Sequence, residues 1–266
     1  MHPILFHLGP VTIYSYGAML ALGLLAALTM AAIRAKGIGV SKEIVVDFGL
    51  WMLISGVIGA RLFYVIGHWN EEFAARPLDV IRVDQGGIVF YGGFIAAALT
   101  SIWFVRRHKL DYWKFTDAMA PSVALAHAFG RVGCFLNGCC FGTFCPHPWA
   151  VHFPPRVLPS GEVVDHDSHG APVHPTQLYE AAGNLALFAA LWWFYPKRKF
   201  DGQVFWLYVA SYAVWRFVVE FWRGDYGVRF LMGTLKPGQL AAVILLIVAG
   251  IFLWKLPRAR FGKTTP

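Results

Sequence analysis

The chain reads as an all-α polytopic membrane protein, with seven transmembrane helices and a small irregular head on the non-cytoplasmic side. Three observations predict this. Of its 266 residues 57% are hydrophobic and only 14% charged, where soluble domains carry roughly a quarter; the mean hydropathy is +0.53. Apolar runs recur at lengths near the roughly 20 residues that a helix needs to cross the hydrocarbon. The basic residues between those runs fall mostly on alternate sides, as lysine and arginine do when they hold cytoplasmic loops in place.

The first run, Tyr16–Ile33, follows a segment with no basic region and precedes no small-residue cleavage site, so it is expected to stay as a span. The second, Val45–Ile66, contains Arg61, and the third is Ile88–Val105. The fourth, Phe115–Phe135, ends in a glycine-rich stretch with Arg131 and Asn137, and a charge at that depth points to function. The proline-rich connection from Gly138 to Pro175 forms the head, an insertion over 138–175 in a single membrane domain spanning 1–266; loops of such length are usually functional or disordered. The fifth run, Leu178–Phe194, carries Glu180. The sixth, Phe205–Trp222, carries Tyr212, Arg216 and Glu220, spaced four apart as a polar stripe that continues to Arg223. The seventh is Leu240–Trp254.

Loops after the odd-numbered spans hold 14 of the 23 basic residues, and loops on the other side hold six, Arg229 among them; Arg61, Arg131 and Arg216 lie within spans. The bias predicts an outside N-terminus and a cytoplasmic C-terminus. It also explains the net charge of +8 without nucleic acid.

Arg131 and Arg216 exceed what the nearby carboxylates need, and a guanidinium suits a phosphate through its paired donors. No Walker-type loop or dinucleotide fingerprint is present, so the phosphate need not be a nucleotide's. Cys134, Cys139, Cys140 and Cys145 form a tight group whose spacing lacks the C-x2-C pairs of structural zinc sites. Disulfides or small buried thiols bracing the head are expected there, with no metal. Thiol redox chemistry is the competing reading. Of the head histidines His147, His152, His166, His169 and His174, only His174 stands where it could orient a ligand or Glu180.

Gly130 through Gly142, with Arg131, Gly133, Phe135, Asn137 and Gly142, resembles the signature of the bacterial prolipoprotein diacylglyceryl transferase family. The similarity extends to Tyr16-Gly17, Gly59-Ala60-Arg61, the Gly86-Gly87 and Gly92-Gly93 pairs, His174 through Glu180, Tyr212 through Arg223, and Gly238-Gln239. The resemblance implies a transferase in the bacterial inner membrane. It would move the diacylglyceryl group of phosphatidylglycerol to the lipobox cysteine thiol of a preprolipoprotein signal peptide, forming a thioether, with no cofactor. It assigns Arg131 and Arg216 to the phosphate, Asn137 and Tyr16 to the headgroup, and Glu220 to holding Arg216. Gly142 would permit close substrate approach, and Tyr212, His174 and Arg61 would line the substrate site. Three positions depart from the family pattern. Cys134 and Cys139 replace an asparagine and a glutamate, and Tyr91 stands where a histidine often precedes the third span's glycine pair. A phenol with a pKa of about 10 is a poor base near neutrality, so Tyr91 is kept among the site residues with the base unassigned: either it only positions the substrate, or His174, solvent or the leaving phosphate takes the proton. A paralogue with a different acceptor is the alternative.

Overall fold

A computed structural model describes residues 3–8, 11–74, 76–82, 86–153, 156–157, 163–164, 170–224 and 235–261. His166, His169 and Arg229 lie outside them. Seven α-helices follow the seven apolar runs: α1 (Ser15–Lys36), α2 (Lys42–Gly67), α3 (Phe90–Arg107), α4 (Tyr112–Asn137), α5 (Thr176–Phe194), α6 (Gln203–Val219) and α7 (Pro237–Phe261). Among the described residues, α1, α2, α4 and α7 are long and apolar enough to cross a membrane. Large apolar side chains such as Leu25, Ile58, Leu99 and Ile247 are more than half exposed. Exposed apolar surface on so many helices is what a lipid-facing protein presents, and the molecule is a mostly helical, multi-pass membrane protein.

Among the described residues, three two-stranded sheets accompany the helices. Strands β1 (Ile4–Leu8) and β2 (Val11–Tyr14) form an antiparallel hairpin ahead of α1 that the apolar run gave no sign of. In the head, β3 (Val151–His152) pairs with β6 (Pro172–Val173), and β4 (Arg156–Val157) with β5 (Val163–Val164). Phe141, Phe153 and Val173 form the head's small core, with Phe135 and Val151 against it.

The chain divides into two compact units, residues 32–115 and residues 1–31 with 116–266. In the first, α2 and α3 meet backbone to backbone: a Cβ added to Gly92 would lie 2.4 Å from the Gly59 carbonyl oxygen. Small residues at such crossings let helices approach closely where lipid supplies no hydrophobic drive. Phe48 stacks edge-on against Phe104 and Phe115 at 5.3 and 4.9 Å between centroids. In the second unit α1 crosses α4, where a Cβ on Gly133 would meet Tyr16 Cδ2 at 3.1 Å. Asp117 of α4 accepts from the backbone N–H groups of Gly202 and Phe205, both at 2.8 Å, capping the start of α6.

The sixth helix stops earlier than its apolar run. Residues 220–223 leave the helix, and the Trp222 carbonyl accepts from the Thr143 N–H at 2.7 Å. Phe141–Cys145 runs between this segment and the one before α5: Gly142 bridges to Arg223, its N–H donates to the His174 carbonyl at 2.8 Å, and Phe144 bridges to Val173. This crossing ties the ends of α4, α5 and α6 together.

Candidate active site

The polar side chains of the second unit converge on Glu180, in the second turn of α5 and 1% exposed. The residues before it fix that turn. Thr176 Oγ1 donates to the Cys140 carbonyl at 2.9 Å and Gln177 Nε2 to the Cys139 carbonyl at 2.7 Å, pinning the start of α5 onto the end of α4. Arg131 then reaches Glu180, with Nε at 2.7 Å from Oε2. The same Nε faces His127 Nε2 at 3.3 Å, so that nitrogen of His127 is the acceptor and carries no proton. Tyr212 hydrogen-bonds Arg131, and its ring centre lies 5.0 Å from that of His127.

Arg216 bridges the two carboxylates. Its Nη1 is 2.6 Å from Glu220 Oε2, one helical turn on, and 3.4 Å from Glu180 Oε1. Arg223 Nη1 also stands 3.4 Å from Glu180 Oε1. Lys236, just before α7, donates from Nζ to the Glu220 carbonyl at 2.8 Å and to that of Arg223. Glu220 is fully buried, and a Cβ on Gly238 would sit 2.7 Å from its carboxyl carbon. Only glycine lets the first turn of α7, with its positive dipole end, approach that carboxylate so closely.

Arg131 and Arg216 are therefore both paired with carboxylates. Arg131, Arg216 and Arg223 gather on the Glu180 carboxylate, and Lys236 reaches the carbonyls of Glu220 and Arg223. In a low-dielectric interior cations gathered in this way act strongly on an anion. Glu180, Arg223, Lys236 and His127 were not assigned to the site from the sequence. The signal for His127 was its position one turn before Arg131; the others depend on contacts between distant segments.

The other expected residues fall into three groups. Tyr16, 39% exposed, packs against Gly133 near Arg131 and the Cys134, Cys139 and Cys140 group. Asn137 ends α4, with Nδ2 3.7 Å from the Cys139 sulfur. His174 lies beside the site with Nδ1 3.1 Å from the Tyr179 hydroxyl, and burial, with His147 nearby, holds it below the ordinary histidine pKa.

Gly142 differs from expectation. A Cβ there would lie 2.6 Å from His174 Cβ and from the Trp222 carbonyl, so the missing side chain makes room for the protein's own chain. Arg61 differs too. In the first unit its Nε donates to the Val80 carbonyl at 2.9 Å, Nη1 to Gly86 and Gly87 at 2.8 and 3.0 Å, and Nη2 to Asp79 at 2.7 Å. The guanidinium thus organises the loop after α2, which leaves it little to offer a substrate. Tyr91, in the same unit, is 58% exposed and rests against Phe90.

All four cysteines are free thiols, the second of the two states expected for them; Cys145 is buried and the other three partly so.

The sequence matches the family model described as prolipoprotein diacylglyceryl transferase over residues 3–255. It is similar to the phosphatidylglycerol–prolipoprotein diacylglyceryl transferase of Clostridium tetani, 36% identical with 98% of this chain and 99% of the relative covered. Enzymes of the same name from Corynebacterium diphtheriae and Neisseria meningitidis are 34% and 33% identical, with 96% and 92% of this chain and 92% of each relative covered.

Proposed function

We propose, since the chain belongs to the prolipoprotein diacylglyceryl transferase family, that it transfers the diacylglyceryl group of phosphatidylglycerol to the lipobox cysteine thiol of a preprolipoprotein. The observation that carries this reading is the convergence of Arg131 and Arg216 on Glu180, two guanidiniums of the kind that suit a phosphate. The reaction is a displacement at the glyceryl carbon: the sulfur–carbon bond forms, the carbon–oxygen bond to phosphate breaks, and glycerol phosphate departs. The nucleophile is the substrate's own sulfur. What the protein must supply is alignment and fixed positive charge where the leaving group gains negative charge.

Arg131 and Arg216 hold the phosphate in this scheme. Glu180 and Glu220 keep the two guanidiniums in place, and His127 and Tyr212 steady Arg131. Asn137 and Tyr16 bind the glycerol headgroup. A thiol with a reference pKa of about 8.5 yields its proton readily. That proton passes by way of the departing phosphate monoester, whose second pKa is about 6, to solvent, so Tyr91 has no base to replace. All seven helices cross the bacterial inner membrane in one domain, with the N-terminus and the head on the periplasmic side and the C-terminus in the cytoplasm. That places the Arg131 end of α4 where an exported cysteine meets the outer leaflet.

Purified protein incubated with phosphatidylglycerol and a lipobox peptide should yield a thioether-linked lipopeptide and glycerol phosphate by mass spectrometry. A folded sample that gives neither product overturns the reading. A peptide with serine in place of the cysteine should give none.

A further inference from the structure

The two cysteines that break the family pattern converge in space with a third. The ligand atoms of Cys134, Cys139 and Cys140 all lie within 4.8 Å of one another, and the group is partly buried. Cys134 belongs to the last turn of α4. Gly138 then turns the chain with φ of 77°, so that the N–H groups of Gly138 and Cys139 return to the Cys134 carbonyl at 2.9 and 3.1 Å. Cys140 follows with φ of 65°, a left-handed conformation that few residues other than glycine adopt. The carbonyls of Cys139 and Cys140 are the two that Gln177 and Thr176 hold, so the backbone beneath the sulfurs is fixed from α5. Asn137 Nδ2 points at the Cys139 sulfur from 3.7 Å, the type of outer hydrogen bond that orients a thiolate ligand.

We infer that Cys134, Cys139 and Cys140 form a three-thiolate site for a thiophilic d10 divalent cation such as zinc, leaving its fourth position for an incoming thiolate. Sulfurs around a tetrahedral zinc, with Zn–S of about 2.3 Å, stand roughly 3.8 Å apart. Closing from 4.8 Å requires only side-chain rotation over a backbone already in place. Three sulfurs and no hard oxygen ligand select a soft ion over magnesium or calcium. Three thiolates and a divalent ion carry one net negative charge, and Arg131, one turn before Cys134, lies close enough to offset it. The sequence spacing argued against a metal because it lacks C-x2-C pairs; the two left-handed turns bring the sulfurs together instead.

A site with three protein ligands keeps a position open for substrate. On the proposed transferase reading, the acceptor cysteine fills it: its thiol releases its proton to solvent on binding, and the metal-held sulfur attacks the glyceryl carbon as the carbon–oxygen bond to phosphate breaks and glycerol phosphate leaves. The site itself does not depend on that reading. Full-length protein purified in detergent under reducing conditions, without chelator, is titrated with cadmium as the spectroscopic probe. A thiolate-to-cadmium charge-transfer band should rise to a stoichiometric end point, remain in Cys145→Ser, and be lost in Cys139→Ser and in Cys140→Ser. Wild-type protein that is folded and reduced yet gives no band overturns the site, as does mass-spectrometric detection of a disulfide among these three cysteines in protein isolated without reductant. Addition of a lipobox peptide should intensify the band, and its serine analogue should not. An unchanged band with the cysteine peptide removes the acceptor's place at the metal. Loss of lipopeptide product from a protein that still shows the band strikes only the transferase reading.

Discussion

Arg61 and Arg131 each sit in an apolar helix, where an unsatisfied charge is expensive. Arg61 directs its guanidinium into the carbonyls of Asp79, Val80, Gly86 and Gly87, all backbone and all between 2.7 and 3.0 Å. Arg131 meets a carboxylate that it shares with Arg216 and Arg223. Neutral carbonyls take four of the five donors of one arginine and fix a loop. A shared carboxylate holds several arginines at once without cancelling them. The first arrangement is a brace, and the second a poised field. The lesson is that depth in the membrane marks an arginine as important without saying for what; the partner decides.

The largest effect that separates the two is on catalysis. Arg131→Ala should lower kcat/KM for lipopeptide formation by on the order of 10²–10³-fold, as removal of a charge-stabilising donor does elsewhere, while the protein stays folded by size-exclusion chromatography. Near-normal turnover in a folded Arg131→Ala sample would remove this arginine from the phosphate. Next is Glu180→Gln. Taking one partner from a buried ion-pair network typically costs about 3–5 kcal/mol, and here three guanidiniums lose their common acceptor. Thermal unfolding in detergent should show a large drop, with activity falling alongside it. A stable Glu180→Gln protein would mean that the arginines do not depend on this carboxylate.

Arg61→Gln tests the other side of the comparison. Loss of charge-assisted hydrogen bonds to several buried carbonyls should cost about 2–3 kcal/mol. The activity of the molecules that remain folded should be unchanged. A lower kcat/KM at wild-type stability would instead return Arg61 to the substrate site.

The sequence already contained the pieces that rest on local spacing. The apolar runs located all seven helices, because each run is one helix, and Arg216 and Glu220 are one turn apart on the same face. The role of Glu180 was not legible, since its partners come from α4, α6 and the turn after α6. The bracing role of Arg61 was hidden for a related reason: its partners are carbonyls, which every residue carries and no sequence pattern displays. Gly142 was read as an opening for substrate because a glycine records only that something comes close, not what. The cysteine group was discounted on spacing, and only the left-handed turns at Gly138 and Cys140 reveal its convergence.

The smallest effect is expected at Tyr91, the position where the family often carries a histidine. Its ring is 58% exposed and packs on Phe90, and a phenol with a pKa of about 10 is almost entirely protonated at neutral pH. If the leaving phosphate takes the thiol proton, the hydroxyl has no step to perform. Tyr91→Phe keeps the ring and its packing and removes only the oxygen, so kcat and KM should each stay within about twofold of wild type, a free-energy change below about 0.5 kcal/mol. The split between the two constants carries the information. A rise in KM with kcat intact would make the hydroxyl a substrate contact, whereas a drop in kcat alone, lessening at higher pH where the acceptor thiol ionises unaided, would make it part of proton transfer. Either result would move the chemistry toward the unit that Arg61 braces and dissolve the distinction between brace and field.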